Sequence, residues 1–307
     1  MTALLDETAS GVFVIAVTPF REDGALDLDG ADQMVEFYLE RGATGLTILG
    51  IMGEAPKLTG AESIGFVRRV LDRVAGRVTV VVGVSSPGFA AMRELSEASM
   101  AAGAAGVMVA PPAILRTDDQ LFAYMQGVAE TLGDTPLVLQ DYPLASGVQM
   151  SVGVIRRVIE AIPSCVMLKA EDWPGLPKIS ALRDAAGLRR VSILTGNGGL
   201  FLPEELRRGA DGAMTGFAYP EMMRDVVATH RQGDSQRAAD VFDAYLPLAR
   251  YEQQPGLGLA VRKYVLAKRG AIPTAAQRRP RPTLGPHDIM DVEFLIARQE
   301  RRLAQLD

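Results

Sequence analysis

A lysine ends a short apolar run in the middle of this chain. The run reads CVMLKAED, and Lys169 is one of only five lysines among the 307 residues. If its side chain enters an apolar interior, desolvation disfavours the ammonium form, and the neutral amine is the nucleophile that attacks a ketone to form a Schiff base. The same pattern also fits an outward-facing lysine, or a buried ion pair with Glu171 or Asp172.

A tyrosine follows the preceding apolar run, in the segment LVLQDYPLASG. Schiff-base chemistry needs a proton shuttle, and the phenol of Tyr142 could protonate the departing carbinolamine oxygen if it lay near the amine. The alternative is a tyrosine that only caps the fold beside Pro143. Gln140 and Asp141 could bind substrate hydroxyls or orient the loop, and we take Asp141 as a candidate substrate-binding residue.

Two glycine-containing turns, GIMGEAPKLT and TGNGG, follow other apolar runs. Tight turns expose backbone N–H groups that can hold a carboxylate without a cationic side chain, although such turns also occur for backbone reasons alone. We interpret Glu54, in the first turn, as a hydrogen-bond anchor and not as a catalytic acid. These turns and the later motif GADGAMTG supply the remaining candidate substrate-binding residues: Gly50, Ile51, Met52, Gly53, Thr195, Gly196, Asn197, Met214 and Thr215.

The elements that must position these residues alternate regularly between Val12 and Thr215. Short runs rich in Val, Ile, Leu and Ala take turns with longer segments of helical period, which predicts repeated βα units. The predicted strands are Val12–Thr18, Gly45–Leu49, Arg77–Gly83, Ala105–Ala110, Pro136–Gln140, Val166–Ala170, Ser192–Gly196 and Gly212–Thr215. The predicted helices are Leu28–Arg41, Ala61–Val74, Gly88–Ala102, Asp119–Leu132, Val152–Ile162, Leu176–Ala186, Leu200–Arg208 and Glu221–Gln232.

Eight consecutive βα units predict an α/β fold of the (β/α)8 TIM-barrel class, with an open doubly wound sheet as the alternative. In a barrel the active site lies at the carboxyl ends of the strands, where Lys169, Tyr142 and both turns fall. Glycines at Gly42, Gly103 and Gly209 are expected to end helices in the left-handed conformation.

The βα rhythm stops after Gly233. The remaining sequence predicts helices Ser235–Tyr251, Gly258–Arg269 and Pro286–Leu306, interrupted by the turn QRRPRP. We therefore expect a barrel over residues 1–233 that carries the active site, and a C-terminal helical extension over residues 234–307 that is not a second catalytic domain.

Composition excludes several classes of function. The net charge of -5 and the pI near 5.3 leave no basic surface for nucleic acid. The segment MTALLDETAS lacks the basic start and apolar stretch of a secretory signal, and no apolar run reaches membrane-spanning length, so we expect a cytoplasmic protein without membrane contact. Cys165 is the single cysteine, and His230 and His287 are far apart in sequence, so no metal site is expected.

Taken together, GIMGEAPKLT, DYPLASG, the sixth-strand lysine and GADGAMTG resemble the dihydrodipicolinate synthase and N-acetylneuraminate lyase family along essentially the whole chain. The resemblance implies a barrel with a C-terminal helical region and a pyruvate-type Schiff base on Lys169, assisted by Tyr142. It further implies a small 2-oxo acid as substrate, no cofactor other than this covalent link, and a homo-oligomer, either a dimer or a tetramer.

The sequence also departs from the family's synthases. Where they carry Gly-Thr-Thr-Gly-Glu, this chain has GIMGE; their Pro-Tyr-Tyr segment is replaced by APPAILRT, with Ala113 at the relay tyrosine; and the arginine that follows the fifth-strand tyrosine is replaced in YPLASG by Ala145 and Ser146. These losses argue against the lysine-pathway synthase itself. Instead QDYPLASG, LKAEDWPG, AMTGFAYPE and LPLARYEQQPGLGLAVRK look like the branch of 2-keto-3-deoxy sugar-acid dehydratases, such as 2-keto-3-deoxyarabonate dehydratase.

The sequence therefore predicts a Schiff-base-forming lyase, either a dehydratase or an aldolase, that acts on a 2-keto-3-deoxy sugar acid or a pyruvate-derived substrate. Lys169 would form an iminium and then an enamine, the turn from Gly50 to Gly53 would hold the carboxylate, and Thr195, Asn197 and Thr215 would meet the polyol end. The acid that dehydration needs at the C4 hydroxyl is not identified. A 4-hydroxy-tetrahydrodipicolinate synthase and a non-catalytic barrel that binds a sugar acid stay open as alternatives.

Overall fold

Eight parallel strands close into a barrel in a computed structural model that describes residues 3–173 and 175–306. Each strand pairs with its sequence neighbour, and the first pairs with the eighth, so the predicted (β/α)8 architecture is confirmed. The outermost residues of the predicted 1–233 and 234–307 segments lie outside the described ranges. The strands are β1 (Gly11–Ile15), β2 (Gly45–Ile48), β3 (Thr79–Gly83), β4 (Gly106–Val109), β5 (Leu137–Asp141), β6 (Cys165–Ala170), β7 (Ser192–Thr195) and β8 (Gly212–Thr215).

Helices surround the barrel and continue beyond it. They are α1 (Leu28–Glu40), α2 (Gly60–Val74), α3 (Phe89–Ala101), α4 (Asp118–Leu132), α5 (Pro143–Ser146), α6 (Val152–Ala161), α7 (Leu176–Arg183), α8 (Leu202–Arg207), α9 (Pro220–Arg231), α10 (Ser235–Glu252), α11 (Gly258–Lys268) and α12 (Pro286–Leu303). Single turns of 3-10 helix span Ile51–Gly53, Ala55–Lys57 and Asn197–Gly199. The predicted elements are present with ends displaced by a few residues, whereas α5 and the 3-10 turns are too short to show a period in the sequence.

Local sequence signals explain several boundaries. A capping box at Thr59 starts α2 and another at Thr117 starts α4, each pairing a threonine hydroxyl with an amide three residues later. The three glycines expected after helices, Gly42, Gly103 and Gly209, adopt φ values of 84°, 99° and 90°. These positive angles confirm the left-handed helix ends.

The first strand is shorter than predicted because its last residues leave the sheet to support the β2 turn. The last ladder pair joins Ile15 to Thr47. Beyond it, the hydroxyl of Thr18 donates to the carbonyl of Gly53 at 2.5 Å. The segment that follows β1 thus positions the turn after β2.

The strands are buried on both faces, which explains why their sequences lack a simple alternation of apolar and polar residues. One set of side chains fills the barrel interior, and a larger set packs between the strands and the surrounding helices. The interior set is Leu5, Phe13, Ile15, Val81, Ala105, Met108, Val138, Met167, Leu194 and Met214.

The C-terminal extension packs onto the barrel and shares its core. Helix α10 packs against α9 and α12. Val261 and Val265 of α11 and Val292 of α12 belong to the same apolar cluster as the outer residues of the strands. In the described part of the chain, no helix is long and apolar enough to cross a membrane.

Candidate active site

The period of two in β5 and β6 brings four side chains together at the carboxyl end of the barrel. Val138 and Met167 face the interior. Gln140 and Tyr142 follow Val138 at steps of two, Lys169 and Glu171 follow Met167 in the same way, and all four line one cavity. Gln140 and Lys169 are also partners in the β5–β6 register. Alternation along a strand thus places the predicted catalytic pair on one face.

The amine of Lys169 is held by a carboxylate. Its Nζ lies 2.8 Å from Oε2 of Glu171, and only 4% of the lysine is exposed. The same oxygen accepts from Nε2 of Gln140 at 2.7 Å. The ion pair with Glu171, one of the alternatives left open by the sequence, is therefore present. It sits inside the cavity, where the carboxylate can exchange a proton with the amine.

Tyr142 supplies a phenol to this cavity. Burial raises its pKa above the usual value, the negative charge of Glu171 raises it further, and the guanidinium of Arg262 lowers it. The phenol is therefore protonated at neutral pH. It is available as a proton donor beside the amine.

The turn after β2 forms the wall facing β6. Ile51 and Met52 line the cavity. Their amides open the 3-10 helix Ile51–Gly53, and in the described part of the chain neither donates to a backbone carbonyl or a side chain. Two free N–H groups at the start of a helical turn suit an anionic oxygen.

Glu54 anchors this turn. Its carboxylate is buried and pairs with Lys57 at 2.8 Å and with Lys263 of α11 at 2.6 Å, and it also accepts from the amide of Arg278. Lys263 in turn donates to the carbonyl of Thr18 at 2.8 Å. The contacts match the structural interpretation of Glu54 and fasten the turn to the extension.

The wall near β7 and β8 is polar. Asn197 adopts φ 51° and donates from Nδ2 to the carbonyl of Glu171 at 3.0 Å. The hydroxyl of Thr215 accepts from the amide of Gly198 at 2.8 Å. Both predicted residues line the cavity, whose volume is about 40 Å³.

A larger cavity of about 550 Å³ adjoins the first, with Ile51, Gln140 and Tyr142 in both walls. Gly50, Ala113, Ala145 and Ser146 are among its other lining residues. All of its lining residues belong to the described part of the chain, and none of them is Lys, Arg, Asp or Glu. This space therefore offers no side-chain charge to a second anionic substrate.

Three predicted substrate-binding side chains do not reach either cavity: strand parity turns Asp141 and Thr195 away from the interior, and Met214 is packed too deep within it. Asp141 points away from the interior, to Nζ of Lys178 at 2.6 Å, and burial raises its pKa to about 6 although Lys178 lowers it. Thr195 faces outward next to Leu194, towards the carboxyl group of Glu205. Met214 points inward but is packed into the apolar interior.

Two predicted glycines line neither cavity but support the site in other ways. A Cβ on Gly196 would lie 2.1 Å from Cγ of Glu171, so the glycine leaves room for that side chain. Gly53 is buried under the turn and offers its carbonyl to Thr18.

Sequence reasoning named Gln140 as a possible hydroxyl ligand and Glu171 as a possible partner of Lys169, but selected neither as a site residue. Counting in steps of two from the interior residues of their strands would have selected both. Two other lining residues were missed. Gln253 and Arg262 come from the extension and also line the Lys169 cavity. No local pattern indicates them, because they reach the site only through tertiary packing.

Over residues 3–173 and 175–306, no group of three or more histidine, cysteine, aspartate or glutamate side chains is arranged so that it could hold a metal ion.

Known proteins resemble this chain over nearly its full length. Residues 8–293 match the sequence model of the "Dihydrodipicolinate synthetase family". An L-2-keto-3-deoxyarabonate dehydratase of Azospirillum brasilense is 31% identical over 292 residues, covering 93% of each chain. A 4-hydroxy-tetrahydrodipicolinate synthase 2 of Streptomyces coelicolor is 30% identical over 301 residues, covering 93% of this chain and 94% of the relative. A crystal structure of dihydrodipicolinate synthase from Rhodopseudomonas palustris is 51% identical, with a TM-score of 0.94, and covers 97% of this chain and 100% of that one.

Proposed function

This chain belongs to the dihydrodipicolinate synthetase family of lyases, and we propose that it dehydrates a 2-keto-3-deoxy sugar acid through a Schiff base on Lys169. The observation that carries the proposal is the contact between Nζ of Lys169 and the carboxylate of Glu171, beside the phenol of Tyr142. An amine, a carboxylate and a phenol in one cavity are the groups that this reaction requires.

The first half of the reaction forms the iminium. Glu171 accepts a proton from the ammonium of Lys169, and the neutral amine attacks the C2 carbonyl. Tyr142 then protonates the carbinolamine oxygen, which leaves as water and gives a protonated imine. The phenolate that remains removes a proton from C3, whose acidity the iminium has raised, and an enamine results.

The second half uses the proton that Glu171 has taken. The enamine expels the C4 hydroxyl, and Glu171 protonates this leaving group so that it departs as water. Hydrolysis of the conjugated iminium releases the product and restores the amine. Glu171 is thus our candidate for the acid at C4, a role that the sequence left without a residue. Aldol cleavage would instead need a base at the C4 hydroxyl, a role open to the Tyr142 phenolate, so analysis of the products must separate the two reactions.

Substrate orientation follows from the two walls. The free amides of Ile51 and Met52 are suited to the carboxylate. The polar wall of Asn197, Gly198 and Thr215 is suited to hydroxyl groups of the polyol end. An extended 2-oxo acid between these walls would carry its C2 carbonyl to Lys169.

A dihydrodipicolinate synthase is the second candidate, because the 51% identical structure carries that name; for this chain the reaction would be condensation of pyruvate with aspartate semialdehyde. Such a reaction must hold the charged end of a second substrate. The large cavity beside Tyr142 has no charged lining residue, and Ala145 and Ser146 occupy the helix that follows the tyrosine. This absence of a charge supports the dehydratase over the synthase.

The decisive experiment is borohydride trapping followed by intact-protein mass, with pyruvate and with a panel of 2-keto-3-deoxy sugar acids. We expect adducts that disappear in Lys169→Ala, and a product that has lost one water. Release of pyruvate from the sugar acid would identify an aldolase, and rapid consumption of aspartate semialdehyde with pyruvate a synthase. Binding without any adduct would indicate the non-catalytic barrel.

We also propose that the protein is a homo-oligomer. Ile114 and Leu144 are 78% and 66% exposed and are sequence neighbours of residues that line the large cavity. Exposed apolar side chains at one rim are suited to burial against a second copy. Light scattering after size exclusion would measure the mass, and Ile114→Lys should lower it if this rim is the interface.

A further inference from the structure

Arg262 carries a hydrogen-bond donor that its protein partners leave unused. The residue lies in α11 of the extension and is only 1% exposed. Its Nε donates to Oε1 of Glu252 and its Nη2 to the carbonyl of Gly216, each at 2.5 Å. Nη1 is buried and has no partner among the residues that the structure describes.

The unused donor belongs to the active-site cavity. Arg262 lines the same small cavity as Lys169 and Tyr142, and its charge acts on the Tyr142 phenol. Leaving a buried N–H without an acceptor is costly, and each such group calls for an explanation. A ligand oxygen in the cavity would supply the acceptor.

The position of Arg262 indicates which part of a ligand it meets. The guanidinium contacts Gly216, directly after β8, and a second extension residue, Gln253, packs over Gly198. Both contacts belong to the polar wall with Thr215, whereas the amides of Ile51 and Met52 belong to the turn after β2. Arg262 therefore borders the wall that is suited to the hydroxyl groups of the substrate.

The charge of Arg262 is already balanced. Glu252 is buried, pairs with the guanidinium and also accepts from the amide of Ala218 at 3.1 Å. A neutral ion pair that retains one free N–H suits a neutral oxygen, such as a hydroxyl, because a second carboxylate would add an unbalanced buried charge.

We propose that Nη1 of Arg262 donates a hydrogen bond to a hydroxyl of the substrate at the polar wall, so that the extension selects hydroxylated 2-oxo acids over unsubstituted ones. The proposal rests on the proposed function for the identity of the substrate. It makes α11 part of the substrate site and gives Arg262 a role in specificity.

The test compares Arg262→Lys with the native protein on two ligands of equal chain length, a five-carbon 2-keto-3-deoxy sugar acid and 2-oxopentanoate. Lysine keeps the charge beside Glu252 but loses the planar fork of donors. Calorimetric titration in a Lys169→Ala background measures binding without the covalent step. We expect affinity for the sugar acid to fall about tenfold and affinity for 2-oxopentanoate to stay unchanged.

Arg269→Lys is the matched control, because Arg269 follows the same helix and also joins a glutamate, Glu221, and a backbone carbonyl, but outside the cavity. It should alter neither affinity. Equal losses for both ligands, or no loss for the sugar acid, would overturn the proposal. If Arg262→Lys does not fold, Arg262→Gln combined with Glu252→Gln replaces the ion pair by two neutral amides. The affinities of this double variant for the same two ligands are then compared in the same way.

The covalent and non-covalent readouts separate the two proposals. A native protein that forms no borohydride adduct contradicts the Schiff-base function. In that case the ratio of the affinities for the sugar acid and for 2-oxopentanoate still decides the role of Arg262, because binding is measured without the amine of Lys169.

Discussion

Lys169 and Glu171 lie two positions apart on the same strand end, with Nζ and Oε2 separated by 2.8 Å inside the cavity. The pair gives one cavity both a nucleophile and a group that can take and return its proton. The separation of these roles can be tested, because Schiff-base formation and loss of water are measured independently.

Glu171→Gln should uncouple the two steps. The amide keeps the shape and can still contact Lys169, but it cannot donate a proton to a leaving hydroxyl with comparable acidity. Because glutamine cannot take the proton of Lys169, we expect borohydride trapping to slow. The rate of water loss, which also needs Glu171 as an acid at C4, should fall further, by about 100-fold to 10,000-fold. Asp172→Asn is the control, since Asp172 pairs with Lys178 outside the cavity. Loss of the adduct and of dehydration in equal measure would argue against a separate role at C4.

Tyr142→Phe should slow the formation of the adduct itself. Removing the hydroxyl eliminates the proton donor for the carbinolamine oxygen while preserving the ring, so the trapping rate should fall by about 100-fold. Because burial raises the pKa of Tyr142 above its ordinary value of about 10, the native trapping rate should not decline until the pH exceeds 10. A native decline centred near pH 7 would contradict the phenol as the donor.

The buried carboxyl of Glu205 should make the folded protein less stable as the pH rises. Burial raises its pKa to about 8, partly opposed by a hydrogen bond with Thr195. The folded state therefore holds a proton that the unfolded state, with an ordinary pKa near 4.3, has lost. The contribution of Glu205 to the free energy of unfolding should be largest below about pH 4 and should fall by on the order of 1.4 kcal/mol per pH unit up to about pH 8.

Glu205→Gln should remove this contribution to the pH dependence of the free energy of unfolding. Denaturant unfolding at pH 5 and pH 8.5 would measure it, with the neighbouring Glu204→Gln as the control because Glu204 pairs with Arg207 on the surface. We expect Glu205→Gln to be less sensitive to pH than the native protein, and Glu204→Gln to follow the native curve. A Glu205→Gln curve parallel to the native one would refute the assignment.

Lys263→Met should weaken both the fold and the β2 turn. Burial lowers the pKa of Lys263 to about 8, and Glu54 opposes this effect by raising it. Removing the amine leaves the buried carboxylate of Glu54 with Lys57 as its remaining cationic partner, at an expected cost of roughly 3 kcal/mol in the free energy of unfolding. Lys268→Met, which breaks an exposed pair with Glu293, should cost less than about 1 kcal/mol. Chemical denaturation of the two variants gives the comparison.

The fold could be predicted from sequence because each strand is a short apolar run and each helix has its own period. Lys169 and Tyr142 were selected as candidates because both end such runs and because the resemblance to the family gives these positions a role. Asp141 was selected where Gln140 was the residue that lines the cavity, an error of one position that moves a side chain to the other face of the strand. A polar residue type at a strand end is therefore weaker information than its parity with the buried residues before it.

Other parts of the site could not be predicted in this way. Arg262 and Gln253 lie in helical sequence far from the barrel motifs, and their place in the cavity depends on how α10 and α11 pack. Glu54 was interpreted correctly as an anchor, but its principal partner, Lys263, is more than 200 residues away in sequence. Contacts of this range leave no local pattern.

Two consecutive residues of α11, Arg262 and Lys263, hold two parts of the pocket: Arg262 contacts the segment after β8, and Lys263 contacts the turn after β2. Chains emerge from the ribosome amino terminus first. The eight strands are therefore exposed to the cell before the helix that completes the pocket has been made. A nascent chain should stay inert towards substrate until this late segment has left the exit tunnel, because neither part of the pocket is held in place before then.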